Sequence, residues 1–306
     1  MSEPGAALDA QAELVERLAV LVEAGLSPVA AWRELAADGP GSVAAVVAEL
    51  VVAGGADAIP DRVLGALDAR PVGDHDGLRA LAAVWRVATA AGAPLAPTLA
   101  RLAAVLRDLA QGEREIETAL AGPRATSRLV LALPPLGLLL GGLLGIDVLG
   151  ALFGSVLGGA CLVLGVSLLV LAVRWNRRLR RRASAREPAP GLALDLLAVA
   201  LAGGAPPTRA RQYVVDALSE AHLPADAAEL DRQLAFATRA GIPVGELARS
   251  AAVAERRRAR AAGARRAAEF ETRLVLPLGL CVLPAFVVLG VAPVGIAIVS
   301  STALLG

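Results

Sequence analysis

Two long uncharged blocks limit what this chain can fold into. Between residues 129 and 173 Asp147 is the only charged residue, and residues 274–306 carry no charge. A bilayer core about 30 Å thick is crossed by roughly 20 helical residues. Because Asp147 divides the first block into stretches of 18 and 26 residues, this block predicts two membrane spans joined by a tight turn. The second block contains three prolines and predicts a third, kinked span, with a broken pair of half-helices as the alternative.

Composition favours lipid around the first block over the alternative of a buried helix pair in a soluble core. Hydrophobic residues make up 56% of the chain and the mean hydropathy is +0.61, which is high for a soluble domain. The block contains glycine-dense stretches such as LLLGGLLG. Small residues of this kind let helices approach closely within a membrane.

The distribution of arginine predicts the orientation. Residues 1–128 carry 11 arginines and 17 acidic residues, whereas residues 174–273 carry 19 arginines and 11 acidic residues. Basic residues crowd the cytoplasmic ends of membrane spans, and arginine runs follow the second predicted span and precede the third. Residues 174–273 are therefore expected in the cytoplasm. A two-span hairpin returns the chain to the side it left, so residues 1–128 are expected there too, in a multi-pass protein of the inner (plasma) membrane.

The segments outside the uncharged blocks have the periodicity of helices. Leucines recur on one helical face through four turns at positions 95, 99, 102, 106 and 109. Glycine and proline punctuate the breaks, and no long stretch alternates with period two. The class predicted is an all-α membrane protein with two similar cytoplasmic helical modules, residues 1–128 and 174–273. A transmembrane hairpin at 129–173 separates them, and a third span with a short tail follows at 274–306.

An internal repeat relates the two modules. The phrase ATAAGAP at 88–94 returns as ATRAGIP at 237–243. Before it, LAVLVEAGLSPVAA at 18–31 matches LAVALAGGAPPTRA at 197–210, and after it each copy reaches an Arg-Leu-Val-Leu sequence. Each match is weak by itself, but the shared order predicts that one helical unit is built twice.

The repeated phrase has the chemistry of a helix corner. Gly92 and Gly241 are predicted to end a helix in the left-handed conformation that glycine tolerates. Pro94 and Pro243 are predicted to begin the next helix, where the missing N–H costs nothing. We interpret the surface of these corners as a candidate partner contact.

These stretches carry a resemblance to a known family. The text LVEAGLSPVAAWRELA, then AVWRVATAAGAPLAPTLARLAAVLRD, then a Ser-Arg-Leu entrance to a double span, resembles the type II secretion F-domain family. More narrowly it is similar to the Tad-type pilus platform proteins TadB and TadC, over most of residues 14–300. The closing TRLVLPLGLCVLPAFVVLGVAPV is similar to the last span of the TadC branch. Fuller members carry spans ahead of the first cytoplasmic domain, and here the second copy has one span where the first has two, so a short or fused variant of either branch is expected.

The resemblance implies a function. It implies an inner-membrane platform that couples a cytoplasmic secretion ATPase to the extraction and assembly of pilin subunits. Its partners would be that ATPase, the pilins, membrane lipid, and a second copy or a paralogous platform subunit. The rival interpretations are a membrane transporter or membrane-embedded enzyme, and a membrane scaffold unrelated to pili.

The residue types present speak against catalysis. All 30 basic residues other than histidine are arginine, so the lysine of a P-loop is absent. His75 and His222 each lie in a polar loop without a neighbouring cysteine, which disfavours a metal site. The acidic group formed by Asp61, Asp68, Asp74 and Asp76 lacks the spacing of a calcium loop and is expected to be solvated. We therefore predict no enzyme activity, no cofactor and no metal.

Arginines supply the remaining candidate contacts. Nucleic acid is disfavoured because aromatic residues are only 3% of the chain and the basic segment leads into a membrane. Arg128 and Arg273 mark the points where helices are expected to enter the membrane. Asp147 is expected at the membrane interface, with no second ionisable group in a span to relay an ion. The predicted partner-contact residues on the basic helix are Arg256, Arg257, Arg258, Arg265 and Arg266.

Overall fold

The computed structural model describes residues 4–37, 58–69, 75–118, 156–183 and 189–292. Every regular element in these ranges is helical, which confirms the all-α prediction for the part of the chain described. The first predicted span, Asp147, Arg128 and Asp74 lie outside the described residues. So does the tail beyond residue 292.

Eleven α-helices are described, together with two π-helical turns. Those before the predicted hairpin are α1 (Pro4–Glu23), α2 (Pro28–Ala37), α3 (Ile59–Asp68), α4 (Asp76–Ala91) and α5 (residues 95–118). Those after it are α6 (Val156–Ala183), α7 (Leu192–Ala202), α8 (Pro207–Glu220), α9 (Ala227–Ala240) and α10 (Val244–Pro277). The π-helical turns Leu278–Val282 and Val287–Val291 flank the short α11 (Leu283–Phe286).

The contacts divide the chain into two compact units. The first unit is drawn from Met1–Arg114 and Arg186–Ala261, and the second from Glu115–Ala185 and Ala262–Gly306. Each unit thus combines stretches from both sides of the predicted hairpin. Buried side chains from both of the predicted cytoplasmic modules form a single hydrophobic core in the first unit.

Helix α4 lies at the centre of the first unit. It contacts α1, α3, α7 and α8, and its side chains are buried around most of its circumference, including Leu81, Trp85 and Val87. Alanines at positions such as 80, 82 and 83 let neighbouring helices approach on several sides. An arginine at its surface joins α4 to its neighbours. Arg79 donates to Asp68 of α3 at 2.8 Å and to the carbonyl of Ala221 after α8 at 3.2 Å.

The turns after α1 and α7 have the same geometry. Gly25 and Gly204 each have φ of +91°. In both turns the residue after the glycine donates to the carbonyl five positions earlier, Leu26 to Leu21 at 3.1 Å and Ala205 to Ala200 at 3.1 Å. This is the hydrogen-bond pattern that closes a helix on a left-handed glycine.

The two predicted helix corners also share a geometry, as expected. Gly92 has φ +69° and ψ +24°, and Gly241 has φ +65° and ψ +28°. Each glycine caps its helix in the left-handed conformation, which confirms that prediction. The prolines lie one residue ahead of the first helical residue.

The helices that lead into these corners differ in burial. Val87 of α4 is fully buried, whereas Phe236, at the corresponding position of α9, is 50% exposed. Helix α9 contacts α7 and α8, and only Leu230 and Ala237 of its residues are buried. The same type of corner therefore ends α4, a buried central helix, and α9, a peripheral helix.

Gly203 permits a close backbone approach between the two sequence copies. A Cβ atom at Gly203 would lie 2.3 Å from the carbonyl oxygen of Ala91 and 2.9 Å from the amide nitrogen of Ala93. The turn after α7 is thus packed directly against the corner that ends α4. Any side chain at Gly203 would force these backbones apart.

In the second unit, α6 packs against the helical turns 278–291. A Cβ at Gly165 would lie 2.3 Å from Cγ of Leu289, so the glycine makes room for that leucine. Further along α6, Ala172 is buried in a cluster with Cys281 and Val282. Gly165 contacts Leu289, whereas Ala172, later in α6, contacts the earlier residues Cys281 and Val282. The two helical segments therefore run antiparallel.

Helix α6 contains the one candidate membrane span found among the described residues. The window Gly158–Trp175 has the length and composition of a span, and 17% of it is buried in the protein. Apolar side chains such as Val163, which is 67% exposed, face outward. This window covers the later part of the second predicted span and ends just beyond it.

From residue 278 to 291 the predicted third span is helical but interrupted by π turns on either side of Pro284, because the proline nitrogen cannot donate a hydrogen bond to the preceding turn.

Candidate functional site

A groove in the first unit lies between α5, α7 and α10. Its volume is about 340 Å³. The apolar lining is supplied chiefly by Leu102, Val105, Leu196, Val199 and Val253. On α5, Leu99 and Leu106 are buried in the core, while Leu102 and Val105 lie on the adjacent face and line the groove.

The floor of the groove holds a buried ion pair. Arg256 of α10 donates from Nη1 to Oδ2 of Asp195 on α7 at 2.5 Å. Arg256 is only 8% exposed. Asp195 is the one charged residue of α7, whose other ten residues are alanine, leucine and valine. A carboxylate in such a helix is costly to bury unless it is paired, and Arg256 supplies the partner.

Burial shapes the protonation of Asp195. Removal from water raises the pKa of the Asp195 carboxyl above its ordinary value. The nearby charge and hydrogen bond of Arg256 act in the opposite direction, as do the charges of Arg101 and Arg249. The fields of two further arginines therefore reach the floor of the groove.

The rim of the groove carries Arg101, Arg249 and Asp108. Arg249 pairs with Glu246 on its own helix, while its Nε is buried and has no hydrogen-bond partner. Asp108 pairs with Arg260 at 3.2 Å. No described residue forms an ion pair or side-chain hydrogen bond with the exposed Arg101.

Helices α5 and α10 contact each other beside the groove. Arg260 donates from Nη2 to the carbonyl oxygen of Asp108 at 3.0 Å. Its aliphatic stem lies over Gly112, where an added Cβ would be 3.5 Å from Cγ of Arg260. Arg101 and Val253, which line the groove, are exposed to solvent.

The predicted corner residues lie at the surface. Gly92, Pro94, Gly241 and Pro243 are all exposed. The first corner nevertheless has its backbone against Gly203, whereas nothing lies within 4 Å of a Cβ built on Gly241. Whether these corners contact a partner stays a prediction.

The arginines predicted to contact a partner differ in their exposure. Arg257, Arg258 and Arg265 are exposed, and Arg256 is engaged with Asp195 inside the first unit. Arg266 is half-buried, and its Nε has no hydrogen-bond partner among the described residues. At the expected membrane boundary Arg273 is exposed and pairs with Glu269 at 3.2 Å.

Two members of the acidic group that was expected to be solvated make ion pairs with arginines. Asp61 and Asp68 of α3 bind Arg86 and Arg79 of α4. His75 precedes α4 and His222 follows α8. Among the described residues no three metal-ligating side chains come together.

Sequence reasoning did not find Arg101, Asp195 and Arg249 as members of one site. A lone acid in the otherwise apolar stretch 192–202 was a signal that a buried partner was required. Nothing in the sequence indicated which of the thirty arginines would meet it, because the pairing depends on how three distant helices pack.

Part of the chain matches a known protein family. No curated protein and no solved structure gave a match. Residues 14–141, a stretch that begins within α1 and contains α2, α3, α4 and α5, match the family model described as Type II secretion system (T2SS), protein F.

Proposed function

We propose that this chain is a membrane platform protein of a type II secretion or Tad-type pilus machine. The observation that carries the proposal is the match of residues 14–141 to the protein F family model. In the proposed role, the platform couples a cytoplasmic secretion ATPase to the extraction and assembly of pilin subunits. It performs no bond chemistry itself and works as an oligomer or beside a paralogous subunit.

The arrangement of the first unit supports a mechanical role. Residues 189–261 share one hydrophobic core with the matched residues instead of forming a separate body. A motor that contacts either sequence copy would therefore act on one packed unit. Proteins transmit displacement through such cores because close-packed interiors deform little.

The second unit supports a location in the inner membrane. Helix α6 offers outward-facing apolar side chains over the window Gly158–Trp175. Arg174 lies at the end of that window and Arg178 follows it, and Arg273 precedes the antiparallel segment that packs on α6. Arginines thus gather at one end of the antiparallel pair, the arrangement expected at a cytoplasmic boundary.

Co-purification from native membranes tests the proposal. The full chain, solubilised and captured, is expected to recover its cognate secretion ATPase and to show no ATP hydrolysis after the ATPase is removed. Reversal of charge at Arg257 and Arg258, which are exposed on α10, is expected to weaken the recovery. An Arg17→Glu variant of α1 serves as the matched control.

Two results would refute the platform role. One is measurable ATP turnover by the isolated chain. The other is failure to recover any secretion ATPase or pilin from membranes in which both are produced.

A further inference from the structure

We propose that the groove between α5, α7 and α10 is a binding site for a small organic anion with an apolar body. Leu102, Val105, Leu196 and Val199 would receive the body, while Arg101 and Arg249 would receive the anionic group. This site is independent of the proposed platform function. It is argued from the volume, the lining and the unmatched charge of the groove.

The size and lining of the groove suit a small molecule. Its volume of about 340 Å³ lies at the lower end of the range of roughly 300–1,000 Å³ that ligand pockets occupy. Aliphatic side chains from three helices form the walls, and a few charged groups lie at the floor and rim. That combination of apolar walls with few convergent polar groups is typical of ligand sites.

The unmatched charge of the groove is positive. At the floor, Asp195 and Arg256 neutralise each other across 2.5 Å. At the rim, Asp108 is paired with Arg260. Arg101 remains as a groove-lining cation without a carboxylate partner among the described residues. An anion placed beside it would complete the charge pairing.

A second arginine, Arg249, lines the same groove. The Nε of Arg249 is buried and has no acceptor among the described residues, although another nitrogen of the same guanidinium pairs with Glu246. A buried donor without a partner is uncommon, because its desolvation is not repaid. That atom is closed to solvent, so an anion in the groove would meet the outer guanidinium nitrogens of Arg249, whose side chain is 34% exposed. Arg101 and Arg249 both line the groove, and the charge of each acts to lower the pKa of Asp195.

Exposed lining residues mark the route of access. Arg101 and Val253, which is 41% exposed, line the groove at the surface. A ligand that enters there would cover Val253. This position can therefore report occupancy.

Protection of an engineered thiol tests the site in the full chain. Val253→Cys is made in a Cys161→Ala, Cys281→Ala background, and alkylation by a neutral maleimide is timed in nanodiscs. The probes are 4-phenylbutyrate and its uncharged amide. We expect 4-phenylbutyrate to slow alkylation and the amide to be about tenfold weaker, since loss of a charge-assisted hydrogen bond costs roughly one decade in affinity. A Val20→Cys variant, exposed on α1 away from the groove, is expected to show no protection.

Two arginine variants separate the site from nonspecific effects. Arg101→Gln is expected to abolish the difference between acid and amide, whereas Arg257→Gln, exposed on α10 outside the groove lining, is expected to preserve it. Equal protection by acid and amide, no protection by either, or protection that persists in Arg101→Gln would overturn the proposal. Protection by the acidic peptide acetyl-Leu-Asp-Leu-amide but not by 4-phenylbutyrate would also overturn it, in favour of a protein partner.

Discussion

Arg256 on α10 and Asp195 on α7 meet at 2.5 Å although 61 residues separate them in sequence. Their pairing joins two helices of the first unit at the floor of its groove. Arg256 is buried beside two exposed arginines, 257 and 258, in an unbroken run. Within that run, one arginine belongs to the core and its two successors belong to the surface.

Removal of the Arg256 charge is expected to destabilise the first unit. An Arg256→Gln change leaves Asp195 buried without its partner, and we expect a loss of about 2–3 kcal/mol, below the value for a fully buried pair because Asp195 keeps some solvent contact. The fluorescence of the buried Trp32 and Trp85 can follow thermal unfolding of the full chain. Arg257→Gln is the control, with an expected change within about 0.5 kcal/mol. Equal effects of the two changes would contradict a structural role for the pair.

The raised pKa of Asp195 predicts a specific pH dependence. In the folded protein this carboxyl holds its proton to higher pH than in the unfolded chain, because burial disfavours its charge. Its contribution to stability is therefore largest at low pH. It declines as pH rises from the ordinary pKa of 3.8 through the raised value, and then levels off.

Comparison with Asp195→Asn isolates that contribution. The melting temperature of the wild type relative to the variant is expected to fall as pH increases above about 4. Glu229, whose pKa is lowered chiefly by a hydrogen bond from Gln233, and Asp231, whose pKa is lowered chiefly by one from Arg211, act oppositely. The stabilisation that Glu229 and Asp231 contribute is lost on acidification. It is the same in the wild type and in Asp195→Asn, so it cancels in the difference between their melting temperatures. A difference that grows with pH would show that the pKa of Asp195 is lowered instead.

Gly203→Ala is expected to separate the turn after α7 from the corner of α4. Gly203 has φ −74°, a conformation open to alanine, so the cost is steric and arises from the carbonyl of Ala91. We expect a loss of about 2 kcal/mol in the free energy of unfolding. Gly65→Ala is the matched control, because nothing lies within 4 Å of its Cβ and it sits inside α3. This control is expected to gain about 0.5–1 kcal/mol.

A disulfide tests the antiparallel packing in the second unit. In a Cys161→Ala background, Ala172→Cys is expected to oxidise to a disulfide with native Cys281, since both positions lie in one buried cluster. Val170→Cys, which is 51% exposed, is the control and should stay reduced or link separate molecules. Peptide mapping identifies the bridge. Its absence from Ala172→Cys would refute the packing of α6 described above.

Reporter fusions test the orientation predicted from arginine. A reporter placed at Ala189 is expected to act in the cytoplasm, and one fused after Gly306 is expected to act on the opposite side of the membrane. Paired alkaline phosphatase and green fluorescent protein fusions give opposite signals for the two sides. The reverse pattern would overturn the topology.

Local features of the fold were predictable from the sequence, since their causes are local. Gly92 and Gly241 were expected to cap helices because glycine alone adopts the left-handed conformation without strain, and both do. The helical class followed from periodicity. The second predicted span coincides with the apolar part of α6.

Features that depend on distant packing were not predictable. Arg256 and Arg257 have almost the same sequence surroundings, and only the position of α7 makes one of them buried. The single core of the first unit likewise depends on contacts between residues on both sides of the predicted hairpin. The groove is a third example, because its three walls come from helices far apart in the chain.

The matched turns and corners constrain how the chain can change in length. From Gly25 to Gly92 the chain advances 67 positions, but from Gly204 to Gly241 only 37, so about 30 additional residues, α3 among them, occupy the first interval. Helix α3 covers part of α4, where Ala82 and Ala83 are buried; the corresponding positions of α9 carry Asp231 and Arg232. Shortening the first interval to the length of the second at the expense of α3 would therefore expose Ala82 and Ala83. It would also deprive Arg79 and Arg86 of the carboxylates that they bind on α3.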